Sequence, residues 1–310
     1  MKLSLLTIAV VVSIALASGL RSQPRLYAQQ DAGRGEGRRG EGRGGDGRGG
    51  RGGGGGLANK NPDLPAGAFT ASSTIAHTTL RHEWVDIPMS GGTLHAWIEY
   101  PTGDEQAPVV LVMSHEAGLD DWMRGVADQL ATQGFIAIAP DLLSGRGPNG
   151  GNFDSFKFPA DVIHATARLS QEDALRRYKA AFDYSLKLPR ARGKAGTLGI
   201  GMGGTDSFRF AAETPNLDAA VSFYGVAPDE NVLTKIKAPI AGFYGEDDPR
   251  VLPTVRTAET AMKRLGKTYD VNVYPGATQE FLRSSVEGQN GAAGAMAWPA
   301  AIQFLQQHLN

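Results

Sequence analysis

The sequence predicts an α/β protein with a mainly parallel sheet. Short runs that are apolar on both faces recur along the chain, which is typical of strands buried in a parallel sheet. Segments with helical periodicity separate these runs, so strands and helices alternate. Two alternating stretches joined by Ser90-Gly-Gly92 come first, and they indicate an antiparallel hairpin at the start of the sheet.

Each element follows from its own pattern, in chain order. The hairpin strands are 82–89 and 93–100, the apolar runs are 108–113, 135–139, 197–200, 219–224 and 239–244, and an alternating last strand covers 269–274. Helices are predicted over 120–133, 171–187, 205–212, 253–265 and 298–309, with Gly134 and Gly266 as stop signals. Ligands bind at the carboxyl ends of such strands, so the loops that follow the apolar runs are the place to search for a site.

The N-terminal sixty residues are not expected to join this core. Residues 1–28 hold an apolar run and two possible cleavage points, which predicts a signal peptide and a secreted or periplasmic protein, with no stable membrane insertion after processing. An uncleaved anchor is the alternative, although the run is shorter than the ~20 residues of a spanning helix. Residues 29–60 are rich in glycine and arginine and predict a disordered linker, which leaves 61–310 as one domain.

Composition excludes several functions. The chain has no cysteine, so disulfides, a thiolate nucleophile and cysteine metal sites are excluded. The formal net charge is −1 and acidic residues interrupt the arginines of the linker, so we expect no nucleic-acid partner, although arginine-glycine tracts can bind RNA. No cofactor or metal is expected. Gly199, Gly201 and Gly204 fit a dinucleotide pattern only in part, and the spacing of His115, Glu116 and Asp141 matches no recognised metal site.

The segment Gly199-Ile-Gly-Met-Gly203 fits the nucleophile elbow of a hydrolase, in which small residues flank the attacking side chain. The attacking position falls on Gly201, which has no side chain. An acid follows at Asp247 or Asp248, and the spacing to the next proline favours Asp248. Of the six histidines only His308 comes later, beside the chain end, so the base that would activate a nucleophile is missing.

Residues 83–309 resemble the dienelactone hydrolases of the α/β-hydrolase superfamily. The resemblance lies in Ser114-His-Glu-Ala-Gly-Leu119, which resembles the family's His-Glu-x-x-Gly-Leu turn, "GFIAIAPDLL" over 134–143, the elbow "GIGMGG" over 199–204, and the loops "GEDDP" and "YPGATQEF". It implies an α/β-hydrolase fold and an activity on small esters or lactones.

The resemblance also implies a role for each matching position. The family's nucleophile falls on Gly201, its acid on Asp248 and its histidine on Gln279. The other positions contact the thiol, the substrate or the oxyanion: the glutamate that holds the resting thiol is Glu116, the arginine that binds the substrate carboxylate is Arg283, and the oxyanion donors are the backbone N–H groups of Met202 and Ala117. His115 borders the elbow and is a further candidate for contact with the substrate.

Three functions remain open. The first is a hydrolase with a rearranged mechanism, in which Glu116 activates water or a relocated hydroxyl pairs with His115 or His164. The candidate hydroxyls are those of Ser114, Thr205, Ser207 and Ser222. The second function is non-catalytic binding of an ester, lactone or carboxylate. The third is a scaffold for interactions with other proteins.

Overall fold

The computed structural model describes residues 61–284 and 288–310. The predicted signal peptide and the whole of the predicted linker lie outside the described residues. Among the residues that are described, no helix is both long enough and apolar enough to cross a membrane.

Eight strands form a single sheet. They are β1 (His82–Met89), β2 (Gly92–Glu99), β3 (Ala107–Met113), β4 (Ile136–Pro140), β5 (Ala191–Ile200), β6 (Ala219–Phe223), β7 (Ile240–Gly245) and β8 (Tyr269–Tyr274). Their spatial order is β1-β2-β4-β3-β5-β6-β7-β8. The β1–β2 and β2–β4 pairs are antiparallel, and every pair from β4 to β8 is parallel. The predicted parallel sheet with an antiparallel start is therefore confirmed.

The helices cover both faces of this sheet. They are α1 (Ala71–His77), α2 (Asp121–Thr132), α3 (Pro159–Ala167), α4 (Gln171–Ser185), α5 (Met202–Glu213), α6 (Glu230–Leu233), α7 (Leu252–Arg264) and α8 (Gly288–Leu309). The residues of strand β3 are all apolar because both faces of the strand are buried. Val109 and Leu111 pack in the core with α4 and α5, whereas Val110 and Val112 pack in the core with α2 and α8.

Several elements differ from the prediction. Helices α1, α3 and α6 lack a strong apolar stripe and were not predicted. Strand β5 begins at Ala191 instead of residue 197, because Ala191 pairs with Ala107 through the backbone, which needs no apolar side chains. Helix α8 begins at Gly288 instead of residue 298 and contains Pro299 in its interior, a position where proline is normally excluded.

Residues 61–78 lie against α2 and belong to the domain. The side-chain amide of Gln129 donates a hydrogen bond to the Pro62 carbonyl at 3.2 Å. The Thr78 hydroxyl donates to the Asp128 carboxylate. Ala71 is fully buried, and it packs at the glycine position of α2, Gly125.

Asp128 also faces a second buried carboxyl group, that of Glu99 on β2. Burial raises the pKa of Glu99 to about 9, and the Asp128 charge adds to the rise, while a hydrogen bond from Trp97 Nε1 at 3.0 Å opposes it. Glu99 is therefore protonated at neutral pH.

Candidate active site

Gly201 forms the sharp corner between β5 and α5. Its φ is +56° and its ψ is −114°, a conformation that residues with a side chain rarely adopt. Its backbone N–H donates to the Phe223 carbonyl at the end of β6, at 3.0 Å. The corner thus has the strained strand-to-helix geometry that presents a nucleophile in hydrolases, although glycine presents none.

The neighbouring glycines allow the backbone segments around this corner to approach closely. A Cβ atom on Gly199 would lie 2.1 Å from the carbonyl oxygen of Gly203. A Cβ atom on Gly203 would lie 2.0 Å from the carbonyl oxygen of Met113, at the end of β3. Both obstacles are backbone atoms, so a larger residue at either position requires a shift of the main chain.

The carboxyl group of Glu116 lies over Gly201. A Cβ atom built on Gly201 would be 2.8 Å from Oε2 of Glu116 and 3.2 Å from Oε1. Burial raises the pKa of Glu116 and the Glu280 charge adds to it, while the residue's own backbone N–H and the charges of His115 and Arg250 work against the rise. A carboxyl group with a raised pKa therefore lies where a nucleophilic side chain would point.

The structure distinguishes between the two candidate acids. Asp248 is buried, whereas Asp247 is exposed. One oxygen of Asp248, Oδ1, accepts hydrogen bonds from the backbone N–H groups of Arg250 and Val251, each at 3.1 Å. The other oxygen, Oδ2, is buried and has no hydrogen-bond partner in the described part of the chain. This is the geometry in which an acid orients a histidine, with one oxygen held by the backbone and the other available.

Gln279 lies in the loop after β8, next to the acid loop. The two loops are joined by backbone hydrogen bonds, from Asp247 to the Ala277 carbonyl at 2.9 Å and from Glu246 to the Tyr274 carbonyl at 3.0 Å. The loop that would carry the histidine is thus in place. A glutamine amide has no basic nitrogen, so it cannot accept a proton from a nucleophile.

Arg283 is paired within the protein. Its Nη2 lies 3.3 Å from Oδ2 of Asp120, and its guanidinium lies over the ring of Trp122, at 5.8 Å from the centroid. Nε2 of His115 also lies 3.3 Å from Oδ2 of Asp120. Burial alone would raise the pKa of Asp120, but the contact with His115, the backbone N–H of Met123 and the Arg283 charge hold it below its ordinary value.

Asp120 therefore orients both of the predicted substrate-contacting side chains, His115 and Arg283. Sequence reasoning did not identify this role, although aspartate immediately before a helix is a recognisable cap. Oδ1 of Asp120 accepts a hydrogen bond from the Met123 N–H at 2.9 Å, as an N-cap does.

The relocated hydroxyl–histidine pair is not assembled. Thr205 accepts a hydrogen bond from the Val226 N–H at 2.9 Å, and the Ser207 hydroxyl lies 2.6 Å from that of Thr197. His164 is exposed on α3, and His115 faces Asp120. Ser114 and Ser222 are buried at the ends of β3 and β6, and no hydrogen bond from either hydroxyl to a histidine is found among the described residues.

The remaining predicted positions lie around the corner. Met202 is the first residue of α5, and Ala117 lies in the turn between β3 and α2. Asp141 uses its carboxylate oxygens to accept the N–H groups of Leu143 and Phe153, at 2.8 and 2.9 Å, so it orders the loop after β4. Within the described ranges, no group of three or more histidine, aspartate or glutamate side chains is placed to hold a metal ion.

Two residues near the corner were missed by sequence reasoning. Tyr224, directly after β6, has a φ of +40°, and Glu280, next to Gln279, has a φ of +61°. No sequence pattern predicts a positive φ at a tyrosine or a glutamate, because these residues rarely adopt it. Tyr224 and Glu280 both lie at the edge of the sheet that carries Gly201 and Asp248.

Comparison with known proteins identifies the family and the fold. Residues 94–309 match the model of the dienelactone hydrolase family, which is more than half of the chain. A Bradyrhizobium protein is 28% identical over 249 residues, 76% of this chain and 98% of its own, and is named as a probable 2-oxo-3-(5-oxofuran-2-ylidene)propanoate lactonase.

Solved structures share the fold. The dienelactone hydrolase of Anabaena variabilis superposes with a TM-score of 0.58 and 22% identity, covering 75% of this chain and all of its own. A dienelactone hydrolase-like promiscuous phosphotriesterase from metagenomic libraries superposes with a TM-score of 0.63 and 21% identity, with the same coverage.

Proposed function

Because the chain belongs to the dienelactone hydrolase family, we propose that it hydrolyses small esters or lactones through a water molecule activated by Glu116, without a covalent intermediate. One observation carries this proposal. The Glu116 carboxyl group lies 2.8 Å from the point where the first side-chain atom of a nucleophile would stand, and Gly201 places no atom there. A water molecule beyond that point takes the role of the missing side chain.

The chemistry needs one base and a site for the oxyanion. Water attacks the carbonyl carbon of the substrate while Glu116 removes a proton from it. The backbone N–H groups of Met202 and Ala117 donate to the carbonyl oxygen as it becomes negative. The bond to the leaving oxygen then breaks. Burial helps the base, because a carboxylate with a raised pKa accepts a proton more readily near neutral pH.

A modest rate is expected. In serine hydrolases without their triad, the oxyanion donors and substrate binding still give about 10³–10⁴-fold acceleration over water. The name of the Bradyrhizobium relative supports a lactone as substrate. The Arg283 guanidinium supplies a positive charge near the corner that suits a substrate with a carboxylate.

The test is turnover of activated esters and of lactones by the purified protein, compared with Glu116→Gln. General-base removal should lower kcat/KM by about 10²–10⁴-fold. Glu213→Gln at the exposed end of α5 is the matched control and should keep the wild-type rate. Wild-type protein with no turnover above buffer, or a Glu116→Gln variant as active as wild type, would refute the proposal.

A second candidate function is the binding of a carboxylate or lactone without turnover. Arg283 favours it, since its Nε is buried without an acceptor among the described residues and can donate to a ligand. If the protein is such a binder, a small carboxylate should raise its melting temperature, as any ligand specific to the folded state does. Arg283→Ala should remove this shift, and Arg264→Ala, at an exposed position on α7, should not.

The intact parts of the triad can be tested directly. Gly201→Cys with Gln279→His supplies a nucleophile and a base, and the unpartnered Oδ2 of Asp248 is available to orient the new histidine. The new Cβ requires Glu116 to move away from 2.8 Å. Because the obstacle is the end of a flexible side chain, we expect this shift to occur and covalent hydrolysis to appear.

Export of the protein is also proposed, on the apolar N-terminal run alone. N-terminal sequencing of the mature protein should begin at Ser18 or Gln29. Recovery of the chain with its original N-terminus would refute cleavage.

A further inference from the structure

Tyr224 combines three features that packing alone does not explain. Its backbone has a φ of +40°, which is strained for a bulky residue, and such strain gathers at functional sites. Its side chain is fully buried, at 1% exposure. Its hydroxyl group has no hydrogen-bond partner in the part of the chain that the structure describes, which is unfavourable for a buried polar group.

Tyr224 lies at the edge of the sheet that carries the proposed site. The residue follows β6, which lies between the elbow strand β5 and the acid strand β7. Its backbone N–H donates to the Phe243 carbonyl on β7, at 2.8 Å. Its ring packs edge-on against Phe281, with centroids 5.4 Å apart, so it also contacts the loop of Gln279 and Glu280. The ring is thus fixed from two sides.

The charges around the hydroxyl belong to the same site. Burial raises the pKa of Tyr224 well above its ordinary value, the Glu280 and Glu116 carboxylates add to the rise, and the Arg283 charge opposes it. The hydroxyl is therefore neutral and within electrostatic reach of the proposed base. It is a buried O–H donor without an acceptor among the described residues.

We propose that Tyr224 is the general acid of this site, and that it donates its hydroxyl proton to the leaving oxygen of an alkyl ester or lactone. This rests on the proposed hydrolysis by Glu116 and water. The leaving-group C–O bond breaks as the Tyr224 proton reaches that oxygen and forms an alcohol. The proton that Glu116 took from water passes to the tyrosine oxygen, so both residues return to their starting states and the product acid releases one proton to solvent.

The proposal also specifies the substrate class. An alkoxide is a far stronger base than a nitrophenolate, so an alkyl ester or a lactone needs a proton donor at the leaving oxygen, whereas a nitrophenyl ester hardly does. The structure thereby assigns the site to alkyl esters and lactones in preference to aryl esters.

The test compares leaving groups in the full chain. For Tyr224→Phe, we expect kcat/KM to fall about 10²–10⁴-fold on a saturated five-membered lactone and on methyl acetate, and by less than about tenfold on para-nitrophenyl acetate. Tyr274→Phe is the control, because Tyr274 also packs on Phe281, at 5.6 Å, and is not part of the polar cluster. It should keep wild-type rates on all three substrates.

A structural role would give a different result. Removing a buried hydroxyl without a partner should leave the melting temperature unchanged or raised, so a marked fall would indicate that Tyr224 is needed for folding. Equal losses on the lactone and the nitrophenyl ester, or no loss on the lactone, would overturn the acid role while leaving hydrolysis by Glu116 in place. Wild-type protein without any turnover would overturn both, and Glu116→Gln separates them because it should lower all three rates.

Discussion

Replacing Gly201 by alanine tests the placement of Glu116 over the corner. The new methyl group has two separate costs. The backbone stays at φ +56°, ψ −114°, which costs a residue with a side chain about 1–3 kcal/mol. The Cβ atom also stands 2.8 Å from Oε2 of Glu116, so that side chain must leave its rotamer, at about 0.5–1.5 kcal/mol. We expect a total loss of about 1.5–4.5 kcal/mol in the free energy of unfolding.

Urea denaturation with a spectroscopic probe measures this loss as a lower midpoint with the same slope. For a domain of this size, the melting temperature should fall by about 2–4 °C for each kcal/mol. Gly266→Ala is the matched control, since Gly266 has a φ of +64° and nothing lies within 4 Å of a Cβ atom there. Gly266→Ala should lower the free energy of unfolding by the cost of the backbone conformation alone, without a clash like that with Glu116.

The decisive measurement is the same substitution in a Glu116→Ala background. Without the carboxyl group, Gly201→Ala should cost only the backbone part, so the two changes should couple by about 0.5–1.5 kcal/mol. If Gly201→Ala costs as much with Glu116 as without it, the carboxyl group does not lie over the corner. The water-activating role of Glu116 would then lose its geometric basis.

Three further predictions follow from the packing and the pKa shifts. Gly203→Ala should destabilise more than Gly201→Ala, because its Cβ meets the Met113 carbonyl at 2.0 Å and backbone must move; an equal or smaller loss in urea denaturation would contradict this. Glu99 has its pKa raised from 4.5 to about 9 on folding, so its contribution to stability is complete below pH 4.5 and is lost as the pH rises to about 9, by at most about 1.4 kcal/mol per pH unit. Glu99→Gln should flatten that slope in urea titrations at several pH values, and an unchanged slope would refute the assignment. The hydrolysis rate should rise with pH as Glu116 loses its proton, with a midpoint above the ordinary glutamate value of 4.5, and a rate that falls over this range would exclude Glu116 as the base.

The sequence predicted the parts of the molecule that depend on local patterns. Strand β3 was predictable because burial on both faces leaves only apolar residues in it. The corner at Gly201 was predictable because close backbone approach demands glycine at 199 and 203, and the acid at 248 because its loop has a recognisable spacing.

Contacts between residues that are far apart in the chain could not be predicted from the sequence. The contacts of Asp120 with Arg283 join residues 163 positions apart, and no periodicity signals them. The role of Tyr224 depends on a backbone angle that its residue type disfavours, so propensity argues against it. Helix α1 forms because Ala71 fits against Gly125, which is a tertiary effect that its own polar sequence does not show.

The attachment of residues 61–78 to α2 determines how the protein can be anchored. The N-cap of helix α2 is Asp120, which contacts the candidate site residues His115 and Arg283, and Pro62 is held by Gln129 near the other end of the helix. With a rise of about 1.5 Å per residue, these two points on the helix are roughly 13 Å apart along its axis. A surface, a bead or a fused partner joined through the N-terminal side of the domain would therefore be attached away from the edge that carries the candidate site, and immobilised protein should accept substrate as freely as protein in solution.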